Sequence, residues 1–122
     1  IAIGADGLPV VAYLDYGNLD LKVAHCADVA CTSATLAVVD AEGEIGWSIG
    51  LAIGLDGLPI IAYFDSSLGV LKAARCRDPG CFRTEISVVD ASGDVGKFVD
   101  IAVPPDGLPV ISYYDGRHRD LV

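Results

Sequence analysis

The sequence predicts an all-β fold made of β-propeller blades, one four-stranded antiparallel sheet per 50-residue repeat, with about 2.5 blades in 122 residues. Three observations predict it. The first is an internal repeat kept without insertion or deletion: Asp6-Gly7-Leu8-Pro9 returns as Asp56-Gly57-Leu58-Pro59 and as Asp106-Gly107-Leu108-Pro109. Leu21-Lys22 likewise returns as Leu71-Lys72, Cys26 and Cys31 as Cys76 and Cys81, and Val38-Val39-Asp40-Ala41 as Val88-Val89-Asp90-Ala91. A fixed period of roughly 20–50 residues marks arrays whose units bury apolar faces against their neighbours. The second observation is that each period holds four short β-branched or aromatic runs joined by connections of hairpin length. The third is negative: no stretch keeps apolar residues at i, i+3, i+4 and i+7 long enough for a helix.

The elements follow in order. Asp-Gly-Leu-Pro is turn chemistry: Gly accepts a positive φ, Asp bonds its own downstream backbone, and Pro sets the entry to an extended segment. The strand it launches runs over Val10 to Leu14, Ile60 to Phe64 and Val110 to Tyr114. The strand before the turn spans Trp47 to Gly54 and Lys97 to Pro104; its small residues in Gly50 to Gly54 suit the crowded innermost position beside a central channel. A third strand covers Leu21 to Cys26 and Leu71 to Cys76, and a fourth Thr35 to Val39 and Glu85 to Val89. Their continuous apolar runs fit strands buried on both faces, as when blades stack. A sheet solenoid or sandwich built of the same hairpins is the competing architecture. The blades are expected at residues 1–46, 47–96 and 97–122, the last one partial. The chain starts at Ile1, contains no Met and stops at Val122 inside a repeat, so it reads as a window on a longer array. The expected partners are additional blades of the same chain or identical copies laid side by side.

The formal net charge of −9 sets aside nucleic acid and anionic membrane surfaces, which need clustered Lys and Arg. No apolar run is long enough to span a bilayer, so no membrane insertion is expected. The acidic residues are spread through the turns, as suits a solvated rim.

Cys26 and Cys31, and Cys76 and Cys81, flank one hairpin connection in each of two repeats. A disulfide inside each blade is expected, which places the protein outside the cell or at its surface. Zinc is the rival reading, but the spacing is not C-x₂-C and the two pairs fall in different blades.

Ile-Gly-x-Asp-Gly-Leu-Pro-Val-Ile-x-Tyr-x-Asp, then Asp20-Leu21-Lys22, the paired Cys and Val-Val-Asp-Ala-x-Gly-x-Val-Gly together resemble the tandem repeats of secreted or cell-surface β-propeller proteins of bacteria and archaea. The resemblance covers the whole chain and implies a propeller of about 50-residue blades. It implies little about activity, because propellers serve binding, scaffolding and catalysis alike. Pro104-Pro105 and Val70 depart from the pattern.

Tyr13 and Asp15, Tyr63 and Asp65, and Tyr113 and Asp115 close the second strand of each repeat. A carboxylate beside a Tyr holds a sugar hydroxyl or a cation, giving one binding site per blade. The alternative is that Asp accepts backbone N–H bonds in the next turn while Tyr packs between blades. Asp15 to Asp20 carries oxygen ligands suited to Ca²⁺, but its counterpart Asp65 to Val70 does not, so no metal site is expected. No Ser/His/Asp or Cys/His arrangement emerges: His25 is replaced by Arg75, and His118 stands where the second repeat has Leu68. No catalytic residue and no cofactor are expected. Trp47, the single Trp, has Lys97 as its counterpart and reads as a packing or partly exposed residue rather than a sugar-stacking platform.

The expected function is therefore a non-catalytic, extracellular binding or scaffolding module whose partners include glycans or surface proteins. A structural subunit of a surface layer or extracellular filament is the first alternative, and a fragment of a glycan-acting propeller hydrolase the second.

Overall fold

Each Asp-Gly-Leu-Pro stretch closes on itself in the same way. In the computed structural model, which describes Ile1 to Val122, Gly7, Gly57 and Gly107 adopt φ of 78°, 79° and 80°. Their N–H groups donate to the carbonyls of Gly4, Gly54 and Pro104 at 3.0, 2.9 and 2.9 Å. Asp6, Asp56 and Asp106 each accept the N–H of the Leu two residues on at 3.0 Å. A side chain that replaces the missing backbone partner makes the reversal local and repeatable.

The turns separate strands that build three antiparallel sheets and no helix. The first sheet is β1 (Ala2–Ile3), β2 (Pro9–Asp15), β3 (Asp20–Cys26) and β4 (Ala34–Asp40), in that order. The second is β5 (Ile45–Ile53), β6 (Pro59–Asp65), β7 (Val70–Cys76) and β8 (Thr84–Asp90). The third holds β9 (Val95–Ala102), β10 (Val110–Asp115) and β11 (Asp120–Leu121). Register repeats with the sequence: Val10 pairs with His25 and Asp15 with Asp20, while Ile60 pairs with Arg75 and Asp65 with Val70.

One difference from the sequence reading, and one departure of the third repeat from the other two, have physical causes. The inner strands start at Ile45 and Val95, so the boundaries 46/47 and 96/97 cut through β5 and β9. Ile45 and Val95 are 1 % and 0 % exposed and belong to the core. A bulge then follows, in which the pairing jumps from Ile45 with Asp65 to Ile49 with Tyr63. It turns Trp47 outward, and the matching irregularity in β9 leaves Phe98 at φ 52°. In the third repeat Pro104 has no N–H to give the carbonyl that Gly4 and Gly54 reach at Leu8 and Leu58, and β10 starts at Val110 rather than at the Pro.

Alternation along each strand sends two apolar faces to two neighbours. Val10, Leu21, Val23 and Val39 of the first sheet pack on Ile61, Tyr63 and Ala74 of the second. The opposite face of the second sheet, through Ile60, Ala62 and Leu71, meets Ile101, Val95 and Tyr113 of the third. The inner strands come closest: β5 lies against β9, and β1 and β2 against β5. Gly50 is part of that approach, since a Cβ there would stand 3.2 Å from the Ile101 side chain. The outer strands β4 and β8 make no comparable contact, so the sheets fan apart toward their outer edges.

Candidate functional site

The second strands end on the Tyr and Asp that the sequence singles out, and at the middle sheet both side chains are fully buried. β6 directs Tyr63 and Asp65 toward the first sheet, where β4 ends on Asp40. Tyr63 Oη donates to Asp40 Oδ2 at 2.7 Å, bonding one sheet to the next. Lys72, paired with Tyr63 across β6 and β7, inserts its ammonium between two carboxylates: Nζ lies 2.7 Å from Asp65 Oδ2 and 3.3 Å from Asp40 Oδ2. The 2.7 Å contact is an off-axis ion pair, and no well-directed hydrogen bond reaches Asp65 Oδ2. Asp65 Oδ1 is better satisfied, accepting from Ser67 N at 3.0 Å, Ser67 Oγ at 2.6 Å and Leu68 N at 3.2 Å.

Burial alone would raise the Asp65 carboxyl, but Lys72 and the Ser67 and Leu68 donors outweigh it and hold it below the ordinary carboxylate range. Burial would lower Lys72, yet the two carboxylates raise it. Tyr63 is driven far above the ordinary phenol range by burial and by its bond to Asp40. Lys72 and Asp65 are therefore held as a buried ion pair, and Tyr63 keeps its proton and donates it in a hydrogen bond to Asp40.

The same parts recur at the next boundary with fewer members. Tyr113 Oη donates to Asp90 Oδ2 at 2.7 Å, which pushes the phenol up to about 12. Asp115 Oδ1 accepts from Arg117 N at 2.9 Å and His118 N at 3.1 Å, and His118 Nδ1 lies 2.6 Å from Oδ2. Val122 stands where the other repeats have Lys, so no ammonium joins this set. In the first sheet Asp15 accepts from Gly17 N and Asn18 Nδ2, each at 3.1 Å, and from Lys22 Nζ. Lys22 and then Asn18 hold its carboxyl down to about 2. Tyr13 occupies the matching place on the face turned away from the second sheet.

Asp15, Asp65 and Asp115 thus cap turns, and Tyr63 and Tyr113 fasten sheets, while Tyr13 faces away from the second sheet. At the middle sheet Tyr63 Oη and Asp65 Oδ1 are engaged by protein groups, and Asp65 Oδ2 lies beside the Lys72 ammonium. The structure also brings in Asp40, Asp90 and Lys72, which the sequence shows only as members of repeated motifs. No group of three or more His, Cys, Asp or Glu is placed to share a metal ion. Asp15 to Asp20 spends its first carboxylate on Lys22, Asn18 and Gly17.

All four cysteines are oxidised, as Cys26–Cys31 and Cys76–Cys81, with Cα separations of 4.9 and 4.8 Å. Each bridge closes the β3–β4 or β7–β8 connection. There Asp28 accepts the N–H groups of Ala30 and Thr32, and Asp78 those of Phe82 and Arg83. Trp47 is 85 % exposed and does not pack into a neighbouring sheet. No family model matches the chain, and no curated protein or solved structure does.

Proposed function

We propose that the three sheets are consecutive blades of an extracellular β-propeller array that serves as a non-catalytic binding or scaffolding module. The observation that carries this reading is the bond between sheets. Tyr63 reaches Asp40, and Tyr113 reaches Asp90, at the same 2.7 Å and the same separation of 23 residues. One fastening rule therefore serves successive boundaries, as an array with nearest-neighbour interfaces requires. Inner strands that converge while outer strands splay add the wedge shape that a ring of blades needs. The two disulfides fit an oxidising compartment and hence export. The resemblance to tandem-repeat propellers of bacterial and archaeal surfaces agrees with this reading.

The partners of the array are further blades of the same chain or identical copies, beyond which lie glycans or surface proteins. A structural subunit of a surface layer or filament is the second reading. It is favoured by apolar side chains on the two outward faces, where Leu36 and Val38 are 61 % and 53 % exposed, and Val110 and Leu121 are 61 % and 79 %. A head-to-tail interface between unlike faces closes into a ring or continues as a fibre, according to the rotation per unit. Negative-stain electron microscopy of the intact native protein separates these outcomes. Discrete rings with a central channel are expected. Long fibres would favour the filament reading, and extended strings of sheets without closure would remove the propeller.

A further inference from the structure

The fastening network obeys the repeat, whereas other positions break it. Three such positions meet in one place. Tyr16, Leu19 and Trp47 have Ser66, Gly69 and Lys97 as their counterparts one period on. In the structure all three line a groove of about 280 Å³ between the first and second sheets, floored by Phe64 and edged by Lys97. The corresponding positions between the second and third sheets are polar or lack a side chain, so this groove is not a by-product of stacking sheets. Leu19 adopts φ 60°, where the second repeat has Gly69 at φ 68°. Arg119 of the third repeat shares that conformation at φ 60°, so the backbone here belongs to the common turn and only the Leu19 side chain is particular to the groove.

We infer that the Tyr16–Trp47–Lys97 groove binds one neutral hexopyranose unit of a glycan. The lining sets this ligand chemistry. Trp47 and Tyr16, 85 % and 76 % exposed, offer flat aromatic faces to the C–H face of a pyranose ring. Around them stand groups for the ring hydroxyls. Lys97 Nζ is held 5.8 Å from the Phe64 ring centroid and pairs with Asp94 Oδ1 at 2.5 Å, so the donor at this edge is fixed in place. Ser66 Oγ donates to Glu44 O at 2.8 Å and keeps its lone pairs for a ligand. An apolar cleft with a few placed polar groups is the usual make-up of a small-molecule site. This groove lies just under the roughly 300–1,000 Å³ of such clefts, a size for one ring. The net charge of −9 argues against a polyanionic glycan. A further sheet does not fill the groove, because it opens at the ends of β2 and β6 rather than on a sheet face.

The inference rests on the binding-module reading, but its test is independent of ring closure. Trp47 is the only Trp in residues 1–122, so the fluorescence change that Trp47→Lys removes reports this groove. The intact protein is titrated with methyl glucopyranoside, methyl galactopyranoside and methyl mannopyranoside, with saturation-transfer NMR as the second readout. At least one sugar is expected to give a saturable fluorescence change with a millimolar Kd. Trp47→Lys and Tyr16→Ser, which install residues the second repeat already carries at those places, are expected to weaken binding at least tenfold by NMR while leaving the thermal midpoint near its starting value. Lys97→Ala is expected to weaken it by a smaller factor. No saturable response to any of the three sugars would overturn the inference, as would binding indifferent to Trp47→Lys. A concentration-dependent self-association that Trp47→Lys abolishes would also overturn it, since the groove would then serve a second copy. Any of these failures leaves the microscopy test of blade closure untouched.

Discussion

The first and second sheets carry nearly the same residues at each structural position, and they differ in what lies beside them. The second sheet is covered on both faces, the first on one. Lys22 and Asp15 therefore form a half-exposed pair, whereas Lys72 and Asp65 are buried and share Asp40 and Tyr63 of the boundary. Val39 is 7 % exposed, but its counterpart Val89, where the third sheet supplies no outer strands, is 47 % exposed. The motif is constant, and the neighbour decides what it is worth. This is the behaviour of a quasi-one-dimensional array, in which stability is largely a sum of units and their interfaces.

Substitutions at matched positions put numbers on that difference, most sharply at the lysines. Lys72→Met strands two buried carboxylates, and breaking a buried ion pair costs about 3–5 kcal/mol. Lys22→Met, on the half-exposed pair, is expected to lose far less, and equal losses in denaturant unfolding would break the comparison.

The disulfides come next. The chain-entropy account gives about 2 kcal/mol for so short a loop, so removing either bridge should have a similar effect on the unfolded chain. Their accessibility differs, because Cys81 is 0 % exposed within the core while Cys31 is exposed. Limited reduction followed by alkylation and mass spectrometry is expected to open Cys26–Cys31 first. Opening of Cys76–Cys81 first would contradict the burial contrast.

Two glycines offer a finer comparison. Gly43 and Gly93 share nearly the same backbone, at φ 96° and 93°, so an Ala at either meets the same conformational strain. Only at Gly43 would the new Cβ stand 2.7 Å from Ser67 Oγ and 2.9 Å from Asp65 Oδ2; at Gly93 nothing comes nearer than 3.7 Å. Gly43→Ala is expected to cost about 1–3 kcal/mol more than Gly93→Ala, the usual range for overpacking.

Acid should act on every boundary at once, and more gradually. Asp65, Asp90 and Asp115 are held below the ordinary carboxylate range and Asp15 down to about 2. The unfolded chain thus binds more protons in the window below about pH 4, and stability there rises with pH. Stability is expected to be complete above about pH 4 and to fall away toward pH 2. Thermal midpoints that climb on acidification through that window would contradict the assignment.

Much of this organisation was legible in the sequence. The period, the turns and the strands came through because Gly and Pro punctuate short β-branched runs and because a fixed spacing needs no knowledge of contacts. The start of the inner strand did not: Gly46-Trp47-Ser48 and Gly96-Lys97-Phe98 read as the edge of a strand, and nothing local announces a bulge that begins at buried Ile45 or Val95. The role of the Tyr and Asp pairs was only half visible. Capping of the next turn by Asp is local and follows from residue type, whereas the bond from Tyr63 to Asp40 joins separate sheets. Its constant offset of 23 residues is no signal by itself, since every pair of repeated positions keeps its offset. The groove is hidden for the opposite reason: Tyr16, Leu19 and Trp47 are departures from the repeat, and of the three only Trp47 stands out in the sequence, as the single Trp.

The account turns on the claim that the tyrosine–aspartate bond fastens one sheet to the next, and a double-mutant cycle on Tyr63→Phe and Asp40→Asn in the intact chain tests it most directly. Each single change removes one partner of a buried bond, which costs about 1–3 kcal/mol. The coupling between them is expected within the roughly 0.5–3 kcal/mol found for contacting residues. The same cycle on Tyr13→Phe and Asp40→Asn, whose side chains do not meet, should show no coupling. Additive losses for Tyr63 and Asp40 would contradict the account.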